Sequence, residues 1–292
     1  MNHNGPNHTP AHDKLHPQRR GGPFDGLALA LQFLMILPVR SKRANTTLDG
    51  PPEMAAALPW FPVVGALLGG LLALTDWALT PLFAANVRNV ALLALAALLT
   101  GMLHLDGFID CCDGLLGTRT IERRLEILRD SRVGAYGVIG GVLLVLAQFA
   151  ALGALPASMR LFALVAALLL GRWAMVYAVV AYPYARATGA GAGFHAGGRH
   201  LALATLATLA TLALLASASL LLPGGWWTPS HFALAGAVAL VALVVALGWA
   251  RWASHRLGGG LTGDTYGALN ELVTLAVLAL LPPLAHLLVR LA

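Results

Sequence analysis

Seven apolar stretches, each about 20 residues long, divide this 292-residue sequence. About 20 residues is the length an α-helix needs to cross the hydrocarbon core of a bilayer. The stretches run at about 61–80, 86–105, 133–155, 160–181, 200–222, 231–250 and 272–290. Apolar residues make up 58% of the chain and charged residues 11%, where a soluble domain carries about a quarter. So few charges could not cover the surface of a soluble globule. A soluble single domain, a disordered chain and a disulfide-stapled secreted module are therefore excluded; the two cysteines, Cys111 and Cys112, are adjacent and offer no disulfide framework. The expected fold is an all-α, polytopic integral membrane bundle of about seven transmembrane helices. A further segment, Leu27–Val39, is too short to span and reads as an interfacial or re-entrant helix. Residues 1–23 are polar and His-rich and read as a disordered tail, leaving 24–292 as one transmembrane domain.

The few charges orient the bundle. The chain carries 17 arginines, two lysines and a net charge of +6, with no basic stripe interleaved with aromatics that would suit nucleic acid. Placing the loop with Arg119, Arg123, Arg124, Arg129 and Arg132 in the cytoplasm puts 15 basic residues inside and three outside (Arg88, Arg160 and Arg290), as the positive-inside rule requires. The N-terminus is then cytoplasmic. Arg172 is left near mid-span, where an arginine is by default a functional residue with an acidic partner; snorkelling is the weaker alternative, because either edge is about 12 Å of helix away. The pairs Trp226–Trp227 and Trp249–Trp252 fit interfacial belts.

Six of the 13 acids fall between residues 106 and 130. Asp106, Asp110 and Asp113, in His104-Leu105-Asp106-Gly107-Phe108-Ile109-Asp110-Cys111-Cys112-Asp113-Gly114, are spaced to share one helix face. Three stacked carboxylates beside an apolar span repel one another, and hard oxygen ligands converging on one point suit Mg2+ or Mn2+. His104 is read either as a hydrogen-bonded histidine at a helix end or as a catalytic or supporting group. The stretch Thr120–Asp130 has the spacing of an amphipathic interfacial helix. At its end lie Arg129 and Arg132, donors of the kind phosphate recognition needs, although ordinary juxtamembrane charge would explain them alone. A second acidic element on the same predicted side, Gly258 to Glu271, holds Asp264, Asn270 and Glu271; Glu271 starts an apolar run, which favours a site role. Hard-metal carboxylates and arginines on one aqueous face suit phosphoryl transfer to a substrate hydroxyl.

These residues resemble the cobalamin (5′-phosphate) synthases, the adenosylcobinamide-GDP ribazoletransferases. The resemblance rests on His104-Leu105-Asp106-Gly107 through Asp110 to Asp113-Gly114, then Arg123-Arg124-Leu125-Glu126-Ile127 and Arg129-Asp130-Ser131-Arg132-Val133-Gly134-Ala135-Tyr136-Gly137. It continues in Tyr184-Ala185-Arg186, in Leu261-Thr262-Gly263-Asp264 with Gly267-Ala268 and Glu271, and in Phe61-Pro62-Val63-Val64-Gly65. It covers about 30–290, with Cys111-Cys112 as a departure. It implies a Mg2+-dependent enzyme of the bacterial inner membrane, with residues 24–292 as the catalytic domain. This enzyme would join adenosylcobinamide-GDP to α-ribazole or its 5′-phosphate and release GMP. On this reading Asp106, Asp110 and Asp113 hold metal, with Asp264 and Glu271 as second-site ligands. Arg129, Arg132, Arg172 and Arg186 bind phosphate, and His104 joins Asp106, Asp110, Asp113 and Asp264 in catalysis. Two alternatives stay open: a CDP-alcohol phosphotransferase, whose Asp-x-x-Asp-Gly-x-x-Ala-Arg pattern this sequence lacks, and an ion-coupled secondary transporter, which would put its acids near the midplane. One or two metals, self-association and association with other cobalamin-assembly enzymes are also left open.

Overall fold

In lipid every backbone polar group must be satisfied within the protein, so Ala- and Leu-rich stretches of this length have helix as their only open-ended solution. The computed structural model describes residues 23–36, 54–117, 119–186, 194, 198–218 and 230–291. The N-terminal tail, the glycines between 189 and 193 and the pair Trp226–Trp227 lie outside the described residues. The helices are α1 (Pro23–Leu34), α2 (Phe61–Leu79), α3 (Ala85–Leu99), α4 (Leu103–Leu115), α5 (Ile121–Ile127), α6 (Ala135–Ala154), α7 (Arg160–Ala181), α8 (Gly198–Ala218), α9 (Ser230–Arg256) and α10 (Gly263–Leu291). Among the described residues there is no strand, only one isolated parallel bridge.

Among the described residues six helices are long and apolar enough to cross a membrane, and α3 with α4 form a bent pair that makes a seventh if counted as one span. The stretch expected as a continuous span over 86–105 instead ends at Leu99. Gly101 and Met102 then take left-handed backbone conformations (φ 62° and 58°), and α4 leaves at 90°. α1 is 12 residues long, or about 18 Å, too short to span as the sequence suggested. Its Leu29, Ala30 and Leu34 are buried, and the Ile36 N–H donates to Leu99 O at 2.8 Å.

α7 is the central helix, buried along most of its length, and α2 packs closely on it. Gly69 makes this possible: a Cβ there would lie 2.6 Å from both Leu164 O and Val165 Cα, whereas one at the adjacent Gly70 would meet nothing within 4 Å. Small residues at such crossings let two backbones approach in a membrane. Gly69→Leu is expected to cost at least about 1–3 kcal/mol by overpacking, read as a lowered thermal midpoint of the detergent-solubilised protein. Gly70→Leu is expected to leave that midpoint unchanged. The large exposed side chains of α2 and α6, among them Leu67, Leu74, Trp77, Ile139, Leu143 and Leu146, are the lipid-facing surface such a bundle requires.

At the end of the bundle where α2 finishes and α7 begins, Asp76 binds two arginines that the sequence assigned to an outer loop. Arg160 donates to Asp76 Oδ2 at 2.6 Å, to Asp76 Oδ1 at 3.0 Å, to Asn89 Oδ1 at 2.8 Å and to Leu152 O at 2.9 Å. Arg88 adds a 3.0 Å bond to Asp76 Oδ1. Asp76, Asn89 and Arg160 are all buried. Arg160 is therefore an internal tie between α2, α3, α6 and α7, a correction to its reading as a loop charge.

Candidate active site

The acidic motif occupies α4, which packs against the first turns of α10 and α6. Two glycines set the approach to α10: a Cβ on Gly107 would lie 2.8 Å from Asp264 O, and one on Gly267 would lie 3.2 Å from His104 Cα. This crossing brings the second acidic element to the first. Asp106, Asp264 and Asp113 all lie close enough to Asp110 to repel it, and Arg186 close enough to attract it. Asp106 is exposed and Asp110 half-buried.

The three carboxylates of α4 nevertheless have different partners. Gly134 N–H donates to Asp113 Oδ2 at 2.7 Å and Gly137 N–H to Asp113 Oδ1 at 2.9 Å. Gly134 is the residue that caps the N-terminus of α6, so Asp113 supplies from another helix the oxygens a capping side chain would provide. A Cβ on Gly134 or Gly137 would run into that carboxylate, which explains both glycines of the Val133–Gly137 motif. The carboxylate of Asp113 thus holds α6 against α4. Asp106 and Asp110 have no hydrogen-bond or ion-pair partner among the described residues.

Arg186 joins the site through the isolated bridge between Tyr184 and Leu261. Ala185 N–H donates to Leu261 O at 2.8 Å, and Leu261 N–H to Pro183 O at 2.9 Å. A Cβ on Gly260 would lie 2.9 Å from Ala185 Cα, so the glycine run permits close backbone pairing. Arg186 Nη2 then donates to Asp264 Oδ2 at 2.7 Å and to Leu128 O at 2.9 Å. Thr262 Oγ1 donates to the same Asp264 oxygen at 3.1 Å.

The loop carrying Arg129 and Arg132 is thereby held at both ends by the site: Leu128 through Arg186, Gly134 through Asp113. Both arginines are exposed. Arg132 pairs with Asp130 at 2.7 Å, and its hydrogen bonds pull the Asp130 carboxyl down to about 2, so the pair stays charged at neutral pH. Arg124, in the amphipathic helix α5 expected from the sequence, points inward and donates to Leu115 O, Gly117 O and Arg119 O. It thereby ties down the C-terminal carbonyl end of α4. Cys111 and Cys112 are buried and free, with Cys112 against Gly140 of α6.

The remaining predicted site residues form a separate group deeper in the bundle. Glu271 lies two turns beyond Asp264 along α10, or about 10 Å. Its Oε2 accepts from Gln148 Nε2 at 2.7 Å and its Oε1 from Asn270 Nδ2 at 3.1 Å. Arg172, 2% exposed, faces this carboxylate without a direct ion pair. Its Nε and Nη1 have no hydrogen-bond partner among the described residues, and neither ring nitrogen of His104 has one. The structure therefore gathers Asp106, Asp110, Asp113, Asp264 and Arg186, and sets His104, Arg172 and Glu271 apart from them. Among the described residues no three His, Cys, Asp or Glu side chains are arranged to hold one metal ion; the five-residue ligand set expected from the sequence is not assembled.

The chain matches the cobalamin-5-phosphate synthase family over residues 26–282. It belongs to that family. It is 39% identical over 263 residues to an adenosylcobinamide-GDP ribazoletransferase of Desulforamulus reducens, covering 88% of this chain and 96% of the relative. It is also 39% identical over 278 residues to the enzyme of that name in Roseiflexus sp., covering 91% and 92%. To that of Deinococcus radiodurans it is 36% identical over 263 residues, covering 90% and 87%. No solved structure matches the chain. As a cobalamin-5-phosphate synthase family member the chain is a membrane-embedded transferase, and the lipid-enzyme and transporter alternatives give way to this reading. The matched range holds every residue of the gathered acidic site.

Proposed function

We propose that the chain transfers the adenosylcobinamide-phosphate group of adenosylcobinamide-GDP to α-ribazole or its 5′-phosphate, with release of GMP and with Mg2+ at the α4 carboxylates. The observation that carries this reading is the pair Asp106 and Asp110, two carboxylates without partners among the described residues, set beside Asp264 and Arg186. Mg2+ is held by one or two carboxylates together with substrate phosphates and waters, so two free acids fit it where a closed cage is not built. Bound there, Mg2+ neutralises charge on the pyrophosphate and polarises the phosphorus under attack.

The side chains of the protein account for the other requirements. Arg186 and the exposed Arg129 and Arg132, on a loop held at both ends by the site, grip the pyrophosphate with planar forks. The acceptor hydroxyl attacks the phosphorus attached to the cobinamide; its new P–O bond forms as the bond to the GMP oxygen breaks. Asp264 Oδ1, the oxygen that Arg186 and Thr262 leave to the site, takes the hydroxyl proton. Asp113 holds the loop and α6 in register. The site faces the cytoplasm of the bacterial inner membrane, on the side where most arginines lie, and substrates reach it from there.

The test is GMP release from adenosylcobinamide-GDP by purified protein in detergent. Release is expected to require both a ribazole acceptor and Mg2+ and to stop on chelation. Release that is indifferent to Mg2+ would remove the metal from the proposal, and no release with either acceptor would overturn the function.

A further inference from the structure

Below the acidic site lies a cavity of about 540 Å3 between α2, α3, α6, α7 and α10. Its walls are almost entirely apolar; Gln148 and Arg172 both meet Glu271 at its polar end, where Thr274 also lies, and Thr100 of α3 is a further polar residue in the lining. Leu105 also lines it, so the cavity begins one residue from Asp106. Arg172 is buried, lines this space and has Nε and Nη1 without hydrogen-bond partners among the described residues. Buried donors left unpaired are costly, and ionisable residues inside a membrane span mark functional sites.

We infer that this cavity holds the heteroaromatic base of the acceptor nucleoside, the apolar dimethylbenzimidazole of α-ribazole, with Arg172 donating to its ring nitrogen. The inference rests on the transferase reading above and adds a subsite to it. A small-molecule site is expected to be mostly apolar with a few convergent polar groups, which matches a fused aromatic ring carrying one exposed acceptor nitrogen. The ribose then projects past Leu105 toward Asp106 and Asp110. A lipid chain fits less well. Arg172 is 12 residues into the 22-residue α7, about 18 Å along it, so the polar end lies at mid-depth where a lipid has no headgroup.

The test uses two substitutions on α3. Ala94 and Ala97 line the cavity and neither is fully buried, so added bulk there intrudes on the cavity without overpacking a closed core. Binding of free 5,6-dimethylbenzimidazole to the full chain in nanodiscs is measured by equilibrium dialysis without Mg2+, beside the KM of each substrate. Ala97→Phe and Ala94→Phe are each expected to weaken base binding at least about tenfold and to raise the KM for α-ribazole by a similar factor, the scale of losing apolar fit in a pocket. The KM for adenosylcobinamide-GDP is expected to stay within about twofold. Thermal midpoints identify a variant that has not folded, and the other variant then decides.

Wild-type base binding in a folded filling variant, or no base binding by the wild type, would overturn the inference. So would a co-purified lipid that occupies the cavity and is not displaced by the base. If instead the wild type binds the base but releases no GMP from adenosylcobinamide-GDP, the transferase reading fails and the subsite stands.

Discussion

Asp110→Asn is expected to abolish GMP release, by about a thousandfold or more, while leaving the protein folded. Loss of several kcal/mol of transition-state charge stabilisation corresponds to that range, at 1.36 kcal/mol per tenfold. Asp110 has acidic neighbours on both helices and no partner among the described residues, so replacing its charge with an isosteric amide removes repulsion and breaks no hydrogen bond made there. The thermal midpoint without Mg2+ is therefore expected to be unchanged or raised. In the wild type Mg2+ is expected to raise the midpoint, since a ligand that binds only the folded state stabilises it by mass action, and Asp110→Asn is expected to lose that shift. Asp113→Ala provides the contrast. Its carboxylate accepts two backbone N–H groups at the start of α6, so its loss is expected to lower the midpoint with or without Mg2+, by about 1–2 kcal/mol on the scale of a lost cap. A Mg2+-dependent midpoint that survives in Asp110→Asn would count against the carboxylate pair as the metal site.

The second large effect lies at the opposite end of α7. Asp76→Ala is expected to destabilise the protein by about 3–5 kcal/mol, because it leaves the buried Arg160 and the neighbouring Arg88 without their shared carboxylate. The side chains of Arg160 and Asp76 are only 7% and 8% exposed, so solvent cannot take over the lost partner. The double variant Asp76→Ala with Arg160→Leu is expected to recover much of the loss, as replacing both members of a buried pair commonly does. Thermal unfolding in detergent measures both. A single variant as stable as wild type would show that Arg160 finds sufficient partners in Asn89 and Leu152 O.

The long helices were readable in the sequence because the bilayer fixes their length and leaves the backbone no alternative. The break between α3 and α4 was not. It depends on two residues, Gly101 and Met102, and a left-handed Met carries no composition signal. α10 also begins at Gly263, ahead of the apolar run at 272–290, because Asp264, Thr265 and Asn270 interrupt the apolar pattern in its first two turns. The acidic face of α4 followed from spacing alone, but the division of labour within it did not. Asp113 differs from Asp110 only in meeting glycines 21 and 24 residues away, which linear spacing cannot reveal. The glycines themselves were the available signal, since two in four residues at a helix start leave room for something. Arg160 and Asp76 are 84 residues apart, yet each falls at the same predicted end of a span, and an acid there beside two arginines was a hint of pairing. Arg172 and Glu271 were singled out as costly in a membrane, but their meeting at one cavity needed α7 and α10 to be placed.

The bridge that joins Tyr184 to Leu261 has a consequence for how the site is held. Arg186 and Asp264 meet because the backbone is stitched together beside them, so the segment from 187 to 260, with α8 and α9, departs from and returns to nearly the same point. The distance between the arginine and the aspartate is therefore set by this local backbone pairing, while α8 and α9 keep the lengths that the bilayer and their packing on α7 and α10 demand.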